Sequence, residues 1–299
     1  MAIFVHYDGS ANLLEDVTRM VLQRDPWDHP FFSGMKKAKA LQPLHEWVED
    51  SLANAADNAR SEGRTWTYGT LTAPVRVNNM CQILDKRFSV SRTYMKSPSA
   101  GVDNMYLYQK AKGLKELGLD IELALLHGSR ASGTGSLARR LAGAVNFITT
   151  VATAVGSGTQ MLESFFVGQL QLVWNQGGAP NEAYMGSALR RVVDTYTAGA
   201  TKNVDLSDKR LVNSVKVYDS SFSLVSIVPS RIINSVSNSN MACLIVTIGS
   251  WAAAFLDEIH EVPNVAQDQD GKNGVVITEL TLEARLQNHN AVMTGFQAP

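Results

Sequence analysis

The chain is expected to be an α+β protein built around a long protruding hairpin. Three observations carry that expectation. Apolar and polar residues alternate at both ends of a polar stretch from Leu44 to Ser91, at Val75-Arg76-Val77-Asn78 and Phe88-Ser89-Val90-Ser91 among others. Apolar residues recur at helical spacing from Val102 to His127. Downstream, helices and strands alternate irregularly, without the strict repeat of a doubly wound sheet.

Taken in order, Asn12 and Glu15 form a helix start in which a side-chain oxygen and a carboxylate cap free amides. Leu13, Leu14, Val17 and Val21 supply its apolar stripe. Asp25-Pro26-Trp27-Asp28-His29-Pro30 ends it, because proline removes a donor and restricts the residue before it. Residues 1–43 thus read as an arm with one short helix. The hairpin, 44–91, cannot build a core from its own composition, yet it carries Trp47, Trp66 and Tyr68. Aromatic side chains on a charged hairpin call for a second surface to cover them, so a neighbouring subunit is expected there. Arg60, Glu62 and Arg64 flank them as sources of charge-assisted contacts.

Ser97-Pro98-Ser99-Ala100-Gly101 is a break, and Val102–His127 then predicts a helix of about 39 Å at 1.5 Å per residue. Gly113 and Gly118 each cost it about 1 kcal/mol relative to alanine, a cost accepted where a neighbour must come close. Beyond this helix, Val145–Val155 is expected as a buried strand, Thr159 and Ser187 as helix starts, and Val215–Tyr218 and Phe222–Val228 as strands. Leu244–Ile259 is apolar almost throughout and fits either a strand or a short helix. In the final strand Leu280, Leu282, Ala284 and Leu286 face one way, and Glu279, Thr281, Glu283 and Arg285 the other.

Composition narrows the function. The 299 residues are 45% hydrophobic and 18% charged, which predicts an ordered globular chain. A formal net charge of −1 excludes a strong electrostatic footprint for nucleic acid. Cys81 and Cys243 are expected as free thiols in a reducing compartment. The start lacks the pattern of a secretory signal, and the apolar run Leu244–Leu256 is too short for a membrane span, so a soluble cytoplasmic product is expected.

No catalytic, cofactor or metal site is expected. Gly133-Thr134-Gly135-Ser136-Leu137-Ala138 imitates a dinucleotide fingerprint, but a helix rather than a strand precedes it and no acid follows until Glu163. The six histidines are scattered and no pair has metal-ligand spacing. His45 beside Glu46, and His260 near Glu258 and Glu261, read as solvated or packing residues. A soluble enzyme with a small-ligand site near Gly133–Ala138 is the competing class.

One set of residues, in order, resembles a known family. It runs through Pro30-Phe31-Phe32-Ser33, Lys36, Lys37, Lys39-Ala40, Glu46-Trp47, Asp50, Leu52, Ala55, Asn58 and Glu62-Gly63. Asn79, Gln82-Ile83, Lys86, Val90-Ser91, Lys115-Glu116-Leu117, Asp120, Glu122 and Ala124-Leu125-Leu126 follow. Ala138-Arg139, Ala142-Gly143, Gln176-Gly177-Gly178, Val217-Tyr218, Phe222, Val228-Pro229-Ser230-Arg231 and Glu279-x-Thr281-Leu282-Glu283-x-Arg285 complete it. The set resembles the major capsid proteins of tailed bacteriophages with the Hong Kong 97-type capsid fold. The chain departs after Arg285, where Leu286-Gln287-Asn288-His289-Asn290-Ala291 replaces the family's Asn and Ala-His-Gly run.

The resemblance implies an N-terminal arm (1–43), an E-loop hairpin (44–91), a spine helix with the first part of a peripheral domain (92–150), an axial domain (151–255) and the peripheral return strand (256–299). It implies self-assembly into pentamers and hexamers that close an icosahedral shell around double-stranded DNA. Trp47, Arg60, Glu62, Arg64, Trp66, Tyr68 and Lys86 are the expected subunit-interface residues. Scaffolding, portal and cement or decoration proteins are the implied partners, with weak non-specific DNA contact, no membrane, and assembly in the host cytoplasm. Some relatives join lysine and asparagine side chains between subunits, but nothing in the sequence assigns that chemistry to Lys86. Another phage ring or tail protein is the remaining structural reading.

Overall fold

The computed structural model describes residues 28–66, 68–69, 71–97, 102–155, 160–196, 216–234, 241–263, 265–267 and 270–296. The helix expected after Asn12, and Thr159, lie outside them.

A 23-residue helix, α3 (Met105–His127), crosses the first of two cores. Asn104 starts it by accepting a hydrogen bond from the Leu107 amide at 3.2 Å, which satisfies one orphan donor of the first turn. Leu117, Ile121 and Leu125 are fully buried and pack with Val276, Leu280 and Leu282. Gly118 is the position where room is needed. A Cβ there would stand 2.9 Å from the His29 ring, so the cost of glycine is set against the close seating of the N-terminal segment.

That segment contains α1 (Pro30–Gly34) and the strand β1 (Lys36–Lys39). The free amides of Phe31 and Phe32 donate to the Glu122 carboxylate of α3 at 3.0 and 2.7 Å. Burial pushes the Glu122 carboxyl up from its ordinary value, and the two amides pull it part of the way back.

The sheet beneath α3 has the order β1-β10-β11-β4, with β4 (Gln82–Ser91), β10 (Trp251–Glu261) and β11 (Gly271–Ala284). β1 joins β10 in parallel; the other pairs are antiparallel. The helix α2 (Arg92–Lys96) follows β4, and α4 (Ala144–Phe147) packs near the end of α3. A six-stranded sheet forms the second core, in the order β5-β12-β9-β6-β8-β7. Its strands are β5 (Ala152–Ala154), β6 (Glu182–Met185), β7 (Val217–Asp219), β8 (Leu224–Pro229), β9 (Met241–Val246) and β12 (Ala291–Phe296). The helices α5 (Glu163–Asn175) and α6 (Ser187–Val193) bury Phe166, Leu170, Leu189 and Val193 in that core.

Several sequence expectations change. Phe88–Ser91 is not the second strand of the hairpin: it lies in β4 and pairs with Gly271–Gly274. The hairpin is β2 (Leu44–Glu49) against β3 (Val75–Met80). Val145–Val155 is not one strand but the end of α4, a turn and the short β5, and Ser187 opens α6 behind an N-cap at Gly186. Leu244–Ile259 splits between the two sheets, so Trp251–Phe255 belongs with β11 rather than with 151–250. Conversely, Ala291–Phe296 closes the six-stranded sheet instead of returning to the first. β11 ends at Ala284, because Leu286 takes a left-handed φ of 54°.

Candidate assembly surface

An isolated two-stranded hairpin is marginal in water, so β2–β3 needs an anchor. Asn79 supplies it. Its fully buried side chain donates to the carbonyls of Ala142 and Leu282 at 3.0 and 2.9 Å. Its oxygen accepts from the Ala142 and Met80 amides at 2.9 Å each. One residue therefore ties β3 to the segment 128–143 that follows α3 and to β11. On β2, Trp47 is buried and stacks on Phe147 at 5.9 Å with an interplanar angle of 26°. Its indole N–H donates to Glu49 at 3.0 Å, and Glu49 accepts the Leu286 amide at 2.8 Å. His45 meets Glu283 at 3.2 Å, rather than its sequence neighbour Glu46.

Beyond Glu49 the chain leaves the body. Residues 50–74 contain no helix or strand among the described positions, and the turn at Glu62-Gly63 uses a left-handed Gly63 with φ 74°. Fully extended limbs of a dozen residues reach at most about 40 Å. Among the described residues the hydrogen bonds in this span are local: Ser51 to Asp50, Ala59 to Asp57 and Arg60 to Ala59. The apolar side chains stand in solvent: Leu52 is 97% exposed, Trp66 75%, Tyr68 93% and Leu71 91%. Arg60, Glu62 and Arg64 are exposed with them, and the Arg64 guanidinium lies 5.3 Å from the Trp66 ring centre.

The expected interface residues thus fall into three groups. Arg60, Glu62, Arg64, Trp66 and Tyr68 share the protruding arm. Trp47 sits at its base, within the subunit. Lys86 lies on β4 and bridges to Asp120 of α3 at 2.7 Å. Asn79, which holds the base, entered only through the family resemblance; Glu122 reads in sequence with Lys112, Lys115, Glu116 and Asp120 as the charged outer face of the helix, solvated or in intersubunit ion pairs, whereas it is fully buried and holds the N-terminal segment of its own subunit.

The glycine-rich stretch forms no phosphate cradle before a helix. Ala131 bridges Arg140, Thr134 and Leu137 exchange backbone hydrogen bonds, and Arg139 of that loop is held by Glu279 at 2.7 Å. Among the described residues no group of three His, Cys, Asp or Glu is placed to hold a metal. Burial raises the Cys81 thiol to about 11 and the Cys243 thiol to about 12. No described helix is long and apolar enough to cross a membrane.

Residues 4–297 match a family model described as SU10 major capsid protein. The major capsid protein of Escherichia phage Phieco32 is 32% identical over 127 residues, 42% of this chain. The match spans 36% of that relative's length. Among solved structures, a chain of Gordonia phage Cozz superposes with a TM-score of 0.66 at 10% identity, covering 98% of this chain and 95% of that one. The SrpI encapsulin of Synechococcus elongatus does so with a TM-score of 0.64 at 11% identity, covering 99% and 97%. At such identities the superpositions speak for the fold.

Proposed function

The chain belongs to the SU10 major capsid protein family, and on that premise we propose that its copies form pentamers and hexamers closing an icosahedral shell around double-stranded DNA. Its fold is the Hong Kong 97-type capsid fold, and as a capsid protein it is part of the virion. The observation that carries the reading is the arm: 50–74 holds four large apolar side chains clear of their own subunit. Covering them on a second copy recovers about 25 cal/mol per Å² of apolar area, once per subunit all round the shell. A head-to-tail contact of this kind generates rings, and rings of five and six close a shell.

Within this reading the β2–β3 hairpin is the E-loop, α3 the spine helix, the four-stranded sheet the peripheral domain and the six-stranded sheet the axial domain. Trp66 and Tyr68 are the main anchors, with Arg60, Glu62 and Arg64 supplying polar contacts around them. Scaffolding, portal and cement proteins complete the partners, the shell assembles in the host cytoplasm, and the chain performs no catalysis. The near-neutral charge suits a wall that neither grips nor strongly repels packaged DNA.

Electron microscopy of the purified full chain, alone and with its scaffold, tests the reading. Closed shells, or rings of five and six, are expected. Monodisperse monomers under both conditions, or tubes, would overturn it.

A further inference from the structure

Among the described residues the chain passes between the two sheets three times: between β4 and β5, between β9 and β10, and between β11 and β12. The last crossing holds the other two. Asn290 is fully buried, and its oxygen accepts the Thr247 amide at 2.9 Å and the Trp251 indole N–H at 3.0 Å. Those donors stand at the two ends of the β9–β10 crossing. Gln287 acts likewise on the residues entering β5. Its oxygen accepts the Thr149 amide at 2.9 Å, and its NH₂ donates to the Thr150 hydroxyl at 3.0 Å. Just ahead of both, the Arg285 amide donates to the Ser250 carbonyl at 3.1 Å.

The arm is fastened to the same point. The Asn290 NH₂ donates to the Leu286 carbonyl at 3.1 Å, and the Leu286 amide donates to Glu49, the last residue of β2, at 2.8 Å. Leu286 is the one non-glycine residue with a left-handed backbone among those described. A leucine keeps that conformation only where its surroundings over-determine it.

The sheets also share apolar contacts, since Leu244, Val246 and Val292 of one lie in a common core with Leu280 and Leu282 of the other. Apolar contact is non-directional, and packed layers can slide over it by small shears. Hydrogen bonds have a preferred length and angle, so bonds from one segment to both other crossings select a single setting.

We propose that Gln287 and Asn290 are positioning residues for assembly, which fix the angle between the two sheets and thereby the curvature of the shell. The curvature role rests on the assembly reading above. Rings of five and of six differ by only about 12° in the turn from one copy to the next. Small play between the arm and the six-stranded sheet therefore changes which ring closes.

The test places nitroxide labels on the full chain at Ala111→Cys of α3 and Gln171→Cys of α5, both exposed positions. Cys81 and Cys243 are buried and stay unlabelled. Pulsed electron paramagnetic resonance of the unassembled subunit then reads the distance between the two layers. Gln287→Ala, at a half-buried position, is expected to broaden or shift that distance by about 2 Å, the scale of shear between packed elements. Gln287→Glu keeps the accepting oxygen and is expected to restore the wild-type distribution. Under conditions where the wild type closes shells of one size, Gln287→Ala is expected to close shells of mixed diameter in electron micrographs. A mere loss of stability would lower the yield at constant diameter. An unchanged distance in Gln287→Ala would overturn the lock, and a changed distance with shells of wild-type diameter would overturn the curvature role. A wild type that closes no shells would remove the assembly reading and the curvature role together, while the distance measurement decides the lock alone.

Discussion

Trp47 stacks on Phe147 of its own subunit, with ring centres 5.9 Å apart, and this pair divides the aromatic residues of the hairpin into two roles. Trp47 is 9% exposed and Trp66 75%. Trp47→Ala is therefore expected to destabilise the unassembled subunit by about 3 kcal/mol, the usual cost of emptying a buried aromatic site. Denaturant unfolding of the monomer measures it. A loss under about 0.5 kcal/mol would show that the stack does not hold the hairpin base.

Asn79 satisfies four backbone groups from one buried position. In Asn79→Ala the Ala142 and Leu282 carbonyls and the Ala142 amide lose their partner inside the protein. At about 1–3 kcal/mol for each stranded group, reduced by local relaxation, a loss of at least about 3 kcal/mol is expected. Hydrogen exchange should then show β3 opening ahead of β11. A variant as stable as the wild type would remove Asn79 from its anchoring role.

The end of α3 carries a pH dependence. Burial lowers the His127 pKa from its ordinary value, partly offset by its 2.6 Å contact with the Ile233 carbonyl. The neutral ring is thus the folded form. Its stability contribution is complete above the ordinary histidine value near 6.5 and is lost as pH falls through the lowered folded pKa. Glu122 has the opposite sign: its raised carboxyl contributes at low pH, and that contribution is lost as pH rises through its folded value. The difference between wild type and His127→Gln isolates the histidine from Glu122. That difference in urea midpoint is expected to shrink on acidification below 6.5; a constant difference would show that His127 keeps an ordinary pKa.

What could be read from the sequence depends on how local each cause is. α3 and the strands of the hairpin base were legible because period-3.6 and period-two patterns are written in neighbouring residues, but the same period-two pattern at Phe88–Ser91 belongs to β4 and did not say which strand it joins. Sheet membership was not, since whether Trp251–Phe255 pairs with β11 or stays with β9 is decided by partners dozens of residues away. At Leu286 the alternation runs straight through a strand end. The backbone turns left-handed there, where Asn290 donates to its carbonyl at 3.1 Å from four residues on and Glu49 accepts its amide, the latter a pairing across the fold with no local trace. Of the assembly surface, the exposed aromatic and charged residues of the arm could be picked out by composition. Asn79 and Glu122 could not, because a lone Asn in a strand and a lone Glu in a helix look like surface residues.

The protruding arm offers the most direct test: sedimentation of Trp66→Ala/Tyr68→Ala beside the wild type, under conditions where the wild type closes shells. The unassembled double variant is expected to keep wild-type stability within about 0.5 kcal/mol, because neither side chain is buried in its own subunit. Its yield of closed shells is expected to fall at least about tenfold, the loss of some 1.4 kcal/mol per contact repeated around each ring. Wild-type shell yield from a folded double variant would contradict the assignment of the arm as the contact that builds the capsid.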